Sequence, residues 1–231
     1  MKTARNCLFS TKRELWNEGK DITRQHVVTL YEEDQRGGLG LRVLPKLKYE
    51  HLHMTSFSKM RVDLAAQVLS ESVSKALTLR GGEAAEGTAC FLLLMDKFFD
   101  CTNVKKYSAG ARSRKPFQLP YLSAEDERLT WLKDVFLVYL DNWEISVKER
   151  GAFNKREQNK MQLSQETLLG LRMKTIFLFS FLSYRVGEIC IYNSWGEVIS
   201  YSKDLPRPPR KFFWMSKTKG RDTRQSHRCR I

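Results

Sequence analysis

Apolar and polar positions alternate with helical period along most of the chain, and most clearly after Thr55 or Ser56, either of which can act as an N-cap. Apolar side chains recur at Phe57, Met60, Leu64, Ala65, Val68, Leu69, Val73, Ala76 and Leu77, at gaps that are mostly three, four or one. Lys59, Asp63, Gln67, Glu71, Ser74 and Lys75 occupy the opposite face, and Gly81-Gly82 supplies a stop. This pattern predicts one long amphipathic helix over 55–79 with a buried seam. A second helix is predicted over 88–101, with Phe91, Leu92, Met95, Phe98 and Phe99 on its apolar side. A third opens at Ser123, gathers Glu125, Asp126 and Glu127 where the helix dipole favours negative charge, and keeps its period through Leu132, Phe136, Leu140, Trp143 and Val147 to Gly151. A fourth runs from Ser164 to about Tyr184; being apolar nearly all round from Ile176 to Leu182, it is expected at the centre of the bundle.

The N-terminal stretch is less regular. Residues 1–10 allow one or two helical turns, and Asp21 can cap a short helix containing Val27, Val28, Leu30 and Tyr31. A loop at Arg36-Gly37-Gly38 and a connector to Pro45 follow. Past Gly187 the period changes. Ile189 to Tyr192 and Val198 to Tyr201, flanking Asn193-Ser194-Trp195-Gly196, read as a β-hairpin. Pro206, Pro208 and Pro209 then lead into a basic polar run without apolar period, expected to be poorly ordered in isolation. The fold class expected is mainly α: a bundle of about four to six helices over 1–185, with an irregular basic tail over 186–231.

Charge changes this picture at two places. Forty Lys and Arg against 26 acids give +14, and thirteen of the fourteen excess charges lie in two segments, 105–115 and 203–231. A nearly neutral body with a basic loop and a basic tail suits a polyanion, DNA or RNA, although such runs also occur as solvated loops. The candidate nucleic-acid contacts are Lys105, Lys106, Arg112, Arg114 and Lys115 in the loop, and Lys211, Lys217, Lys219, Arg221 and Arg224 in the tail. Five scattered cysteines without C-x-x-C spacing, and no apolar leader, point to a reducing compartment, nuclear or cytosolic; Cys90 and Cys101 read as small core residues. No apolar run approaches the ~20 residues of a membrane span, so a soluble protein is expected.

Among candidate chemistry, Phe99-Asp100-x-x-Asn103 is the most informative motif. A purine needs a flat apolar face, and guanine N1–H and N2–H₂ need a carboxylate that accepts both. The same pattern also fits an aromatic core residue beside a helix-end aspartate. A triphosphate would further need cations, and Lys59, Arg61 and Lys75 on the helical stretch are candidates. There is no G-x-x-x-x-G-K-S/T loop, H-E-x-x-H or G-x-S-x-G. His51-x-His53 suits a hydrogen-bonded pair better than a metal site.

Three stretches resemble one family. F-x-K-M-R-V-x-x-A-x-Q-V-L-S-x-S-V-x-x-A-L from Phe57 to Leu77 is similar to the opening helix of the insertion domain of P-element-like DNA transposases of the THAP lineage. In that family the domain interrupts an RNase H-like core and binds GTP. Lys2-x-x-Arg5-Asn6 resembles the K-x-x-R-N that follows a catalytic aspartate of the core, which would place the start of this chain just downstream of that residue. Arg207-Pro208-Pro209-Arg210-Lys211-Phe212-Phe213-Trp214 resembles a degraded D-P-L-E-x-F-F-G, with Arg207 and Arg210 where the acids belong. The resemblance covers residues 1–185 well and 200–221 loosely. It implies that Phe99 stacks on guanine while Asp100 and Asn103 hydrogen-bond to it, that lysines of the helix meet the phosphates, and that Mg²⁺ accompanies GTP. It further implies DNA and related transposase chains as partners. Two-metal strand cleavage is not expected, because guanidinium groups would repel the metals. The alternative is a domesticated helical adaptor that binds nucleic acid or a protein through its basic tail, without nucleotide.

Overall fold

A computed structural model describes residues 1–36, 42–105, 112, 115–121, 123, 125–186, 189–192 and 198–201, with side chains as far as residue 182. The chain opens with α1 (Lys2–Leu8), a hairpin of β1 (Leu15–Asn17) and β2 (Lys20–Ile22), and α2 (Arg24–Arg36). Then come α3 (Tyr49–Leu52), a 3-10 turn at Ser58–Met60, α4 (Val62–Val68), α5 (Glu71–Arg80) and α6 (Glu86–Thr102). A 3-10 turn at Pro116–Gln118 precedes α7 (Glu127–Trp131), which passes through a π-helical stretch, Leu132–Leu137, into α8 (Val138–Glu149). Finally α9 (Lys155–Gln158), α10 (Gln165–Val186) and a second hairpin, β3 (Ile189–Tyr192) with β4 (Val198–Tyr201), complete the described chain. The expected mainly helical fold is what forms, and the C-terminal hairpin lies where its sequence placed it, pairing Ile189 with Tyr201 and Tyr192 with Val198. The tail from 202 onward lies outside the described residues.

Helix α6 occupies the centre. Its Phe91, Leu92, Met95 and Phe98 are almost wholly buried, and α5, β2 and the Pro116–Gln118 turn pack around it. Phe98 stacks on Phe136 at 4.4 Å, and Phe91 meets Trp143 edge-on at 5.8 Å. Burying the Trp143 indole is tolerable because its Nε1 donates to the Met161 carbonyl at 3.2 Å.

Five expectations need correction. The single helix over 55–79 is three pieces. Thr55 Oγ1 accepts from Ser58 N and folds a tight turn, Arg61 is extended, and Ser70 leaves the helix to cap α5, its Oγ accepting from Val73 N. Ser and Thr hydroxyls compete for backbone groups in this way, and the period alone does not register it. The seam survives from Leu64 to Leu77, but Phe57, 77% exposed, and Met60 leave it.

Ser123 does not open the third helix: the Asp126 carboxylate accepts from Arg128 N at 3.0 Å, and the helix starts at Glu127. Helix α10 begins after Ser164 as expected, yet it lies at the edge. It gives Leu168, Leu171 and Thr175 to the core and leaves Leu169, Met173 and Phe177 exposed. Asp21 belongs to β2, and α2 is started by Thr23, whose Oγ1 accepts from Gln25 N. Cys90 is exposed, whereas Cys101 is a core residue. The β1–β2 hairpin has no alternating pattern to announce it. Its signal is Glu18-Gly19, both at positive φ (47° and 83°), as a type I′ turn requires.

Candidate functional site

The last two turns of α6, the start of α5 and the connector before α3 enclose a cavity of about 500 Å³. Asp34 on α2 builds one wall: its carboxylate accepts from Val43 N (2.9 Å) and Leu44 N (3.1 Å), holding the connector in place. Gln67 is held by the buried His51. That imidazole's Nδ1 accepts from Lys48 N at 2.9 Å, and its Nε2 donates to Gln67 Oε1 at 2.6 Å. The hydrogen-bonded reading of His51 therefore holds. Among the described residues no group of His, Cys, Asp or Glu is arranged to take a metal.

Helical spacing puts Asp96 and Asp100 one turn apart on α6, both buried, and the Pro116–Gln118 turn answers them from above. Lys115 Nζ lies 3.2 Å from both Asp96 oxygens and 2.8 Å from Asp100 Oδ2. Gln118 Nε2 donates to Asp100 Oδ1 at 2.5 Å, and Asp96 Oδ2 accepts from Glu71 N at 3.2 Å at the start of α5. Burial, and then the neighbouring Asp100 charge, push the Asp96 carboxyl above its ordinary range, even though Lys115 pulls the other way. Burial works against the Lys115 ammonium, but the combined hydrogen bonds and charges of Asp100 and Asp96 win and raise it. Gln118 Oε1 is buried with no hydrogen-bond partner among the described residues, an acceptor left open at the cavity.

Phe99 is half-buried and lines this cavity, and Asp100 lies beside it. Asn103 does not join them. Its Nδ2 donates to the Phe99 carbonyl at 2.7 Å, capping its own helix, and the residue faces a neighbouring cleft shared with Phe99 and Lys174. The three candidate phosphate cations are also dispersed. Lys75 pairs with Glu71 at 2.8 Å on the rim, Arg61 pairs with Asp63, and Lys59 lines a separate cleft beside α1. Glu71 stays well ionised, its Lys75 hydrogen bond being the largest cause, with Lys115 and Lys97 adding to it.

Lys115 is a member of the cavity, held in its acid pair. Lys105 and Arg112 are exposed. Lys106, Arg114, Lys211, Lys217, Lys219, Arg221 and Arg224, like Arg207 and Arg210, lie outside the described residues. Asp96 and Gln118 were not foreseen. The signal for Asp96 was an acid one turn before Asp100 on an otherwise apolar helix; nothing local marked Gln118.

Arg5-Asn6 is a clamp. The fully buried Arg5 donates through Nη2 to the Ser58 carbonyl (3.0 Å), and Asn6 Nδ2 donates to the Lys59 carbonyl (3.2 Å). This ties α1 to the turn that precedes α4.

Comparison with known proteins bears on the family and the fold. The family described as TNP-like, GTP-binding insertion domain matches residues 1–116. No curated protein sequence matches. A solved structure, the Drosophila P element transposase strand transfer complex, superposes with a TM-score of 0.53 at 20% identity, over 80% of this chain and 39% of that one. At that identity the likeness speaks for the fold, and the chain spans about two fifths of that transposase's length. With half of its residues matched by one family and its helical fold shared with a P element transposase, the chain belongs to the TNP-like GTP-binding insertion domains of P-element-like transposases.

Proposed function

We propose that this chain binds guanine nucleotide in the cavity beside Phe99 and Asp100 and holds nucleic acid through its basic segments, without cutting strands itself. Residues 1–185 form the insertion domain, and 186–231 correspond to the start of the RNase H-like element that follows. The observation that carries the nucleotide reading is the polar end of the cavity. A carboxylate, Asp100, is engaged by two donors, Gln118 Nε2 and Lys115 Nζ, beside an open acceptor, Gln118 Oε1, and a half-buried ring, Phe99. Guanine N1–H and N2–H₂ are donors of the same sense, so a base stacked on Phe99 replaces these bonds and reaches the unpaired Gln118 oxygen. Adenine offers no such pair of donors. Among the described residues no Mg²⁺ site is formed here, since Lys115 Nζ already occupies oxygens of both aspartates. Any metal would be held by the triphosphate.

Titration calorimetry with GTP and ATP tests this. The chain should prefer GTP, and Asp100→Ala should erase the preference at a cost of about tenfold or more in GTP affinity. Phe99→Ala should weaken both nucleotides alike. Equal heats for the two nucleotides, or none for either, would favour the adaptor reading. That reading has its own support in Lys115 and Gln118, which already fill the hydrogen-bonding edge of Asp100.

A further inference from the structure

A second cleft, on the α1 side of the fold, is built entirely differently. It is lined by Lys12, Arg24 and Lys59 together with Asn6, Ser10 and Thr55, and among the described residues no acid lines it. The three cations come from three separate places: the turn after α1, the first residue of α2 and the 3-10 turn before α4. All three are exposed, and none forms an ion pair among the described residues. Several cations elsewhere are matched, among them Lys20 with Glu86, Lys75 with Glu71, Arg80 with Asp34 and Arg172 with Asp141 and Glu144, so what sets the cleft apart is that three unmatched cations line one groove.

Two further positive contributions add to the cleft. Helix α2, thirteen residues long, has no acid in its first turn and begins with Arg24, so no acid of its own offsets the positive end of its dipole; the nearby Asp21 and Glu14 line the adjoining groove and not this cleft. Arg5, fully buried and bonded to Asn6 Oδ1 and the Ser58 carbonyl, forms no salt bridge among the described residues, Asp63 being the carboxylate that acts on it from a distance, and its Nη1 has no hydrogen-bond partner among them. Keeping like charges together in this way costs stability, and an anion is what relieves it.

We propose that this cleft is a phosphate-binding surface for the sugar-phosphate backbone of a nucleic acid. Hydroxyls and an amide interleaved with lysine and arginine are the donor set that backbone phosphates take. A base is a poorer fit. Among the described residues the only exposed ring lining it is His53, and one of its faces is already stacked on Tyr49 at 3.9 Å. Among the described residues the cleft shares no lining residue with the Phe99–Asp100 cavity, so it is a separate groove. It extends the nucleic-acid surface from the basic loop and tail onto the folded body, and to that extent rests on the nucleic-acid half of the proposed function.

The test uses the full chain, a short fluorescein-labelled DNA duplex and anisotropy across a salt series, with GTP titrated separately by calorimetry. Replacing Lys12, Arg24 and Lys59 together by Gln should weaken duplex binding and flatten the log–log salt dependence by about 0.9 for each phosphate no longer neutralised, leaving GTP binding unchanged and the melting temperature equal or slightly higher. The charge-keeping triple Lys12→Arg, Arg24→Lys, Lys59→Arg should retain the slope. An unchanged slope in the Gln triple would take the cleft out of the nucleic-acid surface while leaving loop and tail binding intact. Equal weakening in both triples would make these residues structural. Loss of GTP affinity at unchanged slope would assign the cleft to the nucleotide's phosphates instead. Absence of salt-dependent binding in the unaltered chain would overturn the cleft and the nucleic-acid half of the proposed function together, without touching the guanine reading.

Discussion

The two charged clusters of this domain solve opposite problems. In the cavity, two buried acids and one lysine are folded into a closed set in which every charged group has a partner of opposite sign within the protein. In the α1–α2 cleft, three exposed cations and a helix N-terminus are left uncancelled. A closed set contributes to the fold, and removing one member leaves buried charge behind. An open set contributes little to the fold and is better explained by something outside it. The contrast separates residues that a chain needs in order to fold from residues it carries for a partner, and each side can be tested by substitution.

The largest effect is expected where the set is closed. Lys115→Met strands Asp96 and Asp100 as buried neighbours of like sign. Because Lys115 is 34% exposed, the cost should fall at the lower end for a broken buried pair, about 3 kcal/mol. Lys59→Met, in the open set, should stay within about 0.5 kcal/mol. Urea unfolding midpoints at neutral pH decide the matter, and two equal, small shifts would dissolve the contrast.

The closed set should also show itself in pH. Lys115 is raised above 10.5, so its contribution is fully present below that value and is lost as pH rises through the folded pKa. Asp96 is raised above 3.8, so its charge destabilises the fold at high pH, and that penalty disappears as pH falls through its folded pKa. The gap between wild type and Lys115→Met should therefore be widest in the middle of the range. It narrows above 10.5 because the wild type loses its ammonium. It narrows in acid because the variant's stranded carboxyls take up protons. A gap constant with pH would mean that poorer packing, not charge, sets the cost of the substitution.

The two sets also differ in how far the chain announced them. Phe99 and Asp100 stand side by side on a strongly periodic helix, so the motif and its helical context could both be read. Lys115 and Gln118 reach Asp100 across 15 and 18 positions through a loop whose path no local pattern dictates. By sequence Lys115 is therefore one more cation of a solvated basic run. The cleft was hidden by averaging: outside the loop and tail the charge nearly cancels, so nothing suggested that Lys12, Arg24 and Lys59 would meet. The helices themselves were legible because burial repeats with their own period, as in Leu132, Phe136, Leu140 and Trp143. What the period could not show was where a hydroxyl interrupts it. Ser70 looks like one more polar position on a long helix until its side chain turns back to cap α5.

The smallest expected effect carries the reverse sign. Arg24 stands at the first position of α2, where the dipole disfavours a cation and favours an acid. Arg24→Glu should therefore stabilise the fold, by about 0.3–1 kcal/mol in a favourable setting. Asp21 and Glu14 line the adjoining groove with Arg24, and their repulsion should hold the gain near the lower figure. The same substitution removes one cation from the cleft and adds an anion, so duplex affinity should fall and its salt slope should flatten by about 0.9. A variant that is more stable and binds nucleic acid less tightly is the signature of a residue kept for a partner at the expense of the fold. Thermal unfolding and anisotropy on the same sample read both quantities. Should Arg24→Glu instead lower the melting temperature and leave the salt slope untouched, Arg24 belongs with the closed set after all, and the open cleft loses its central cation.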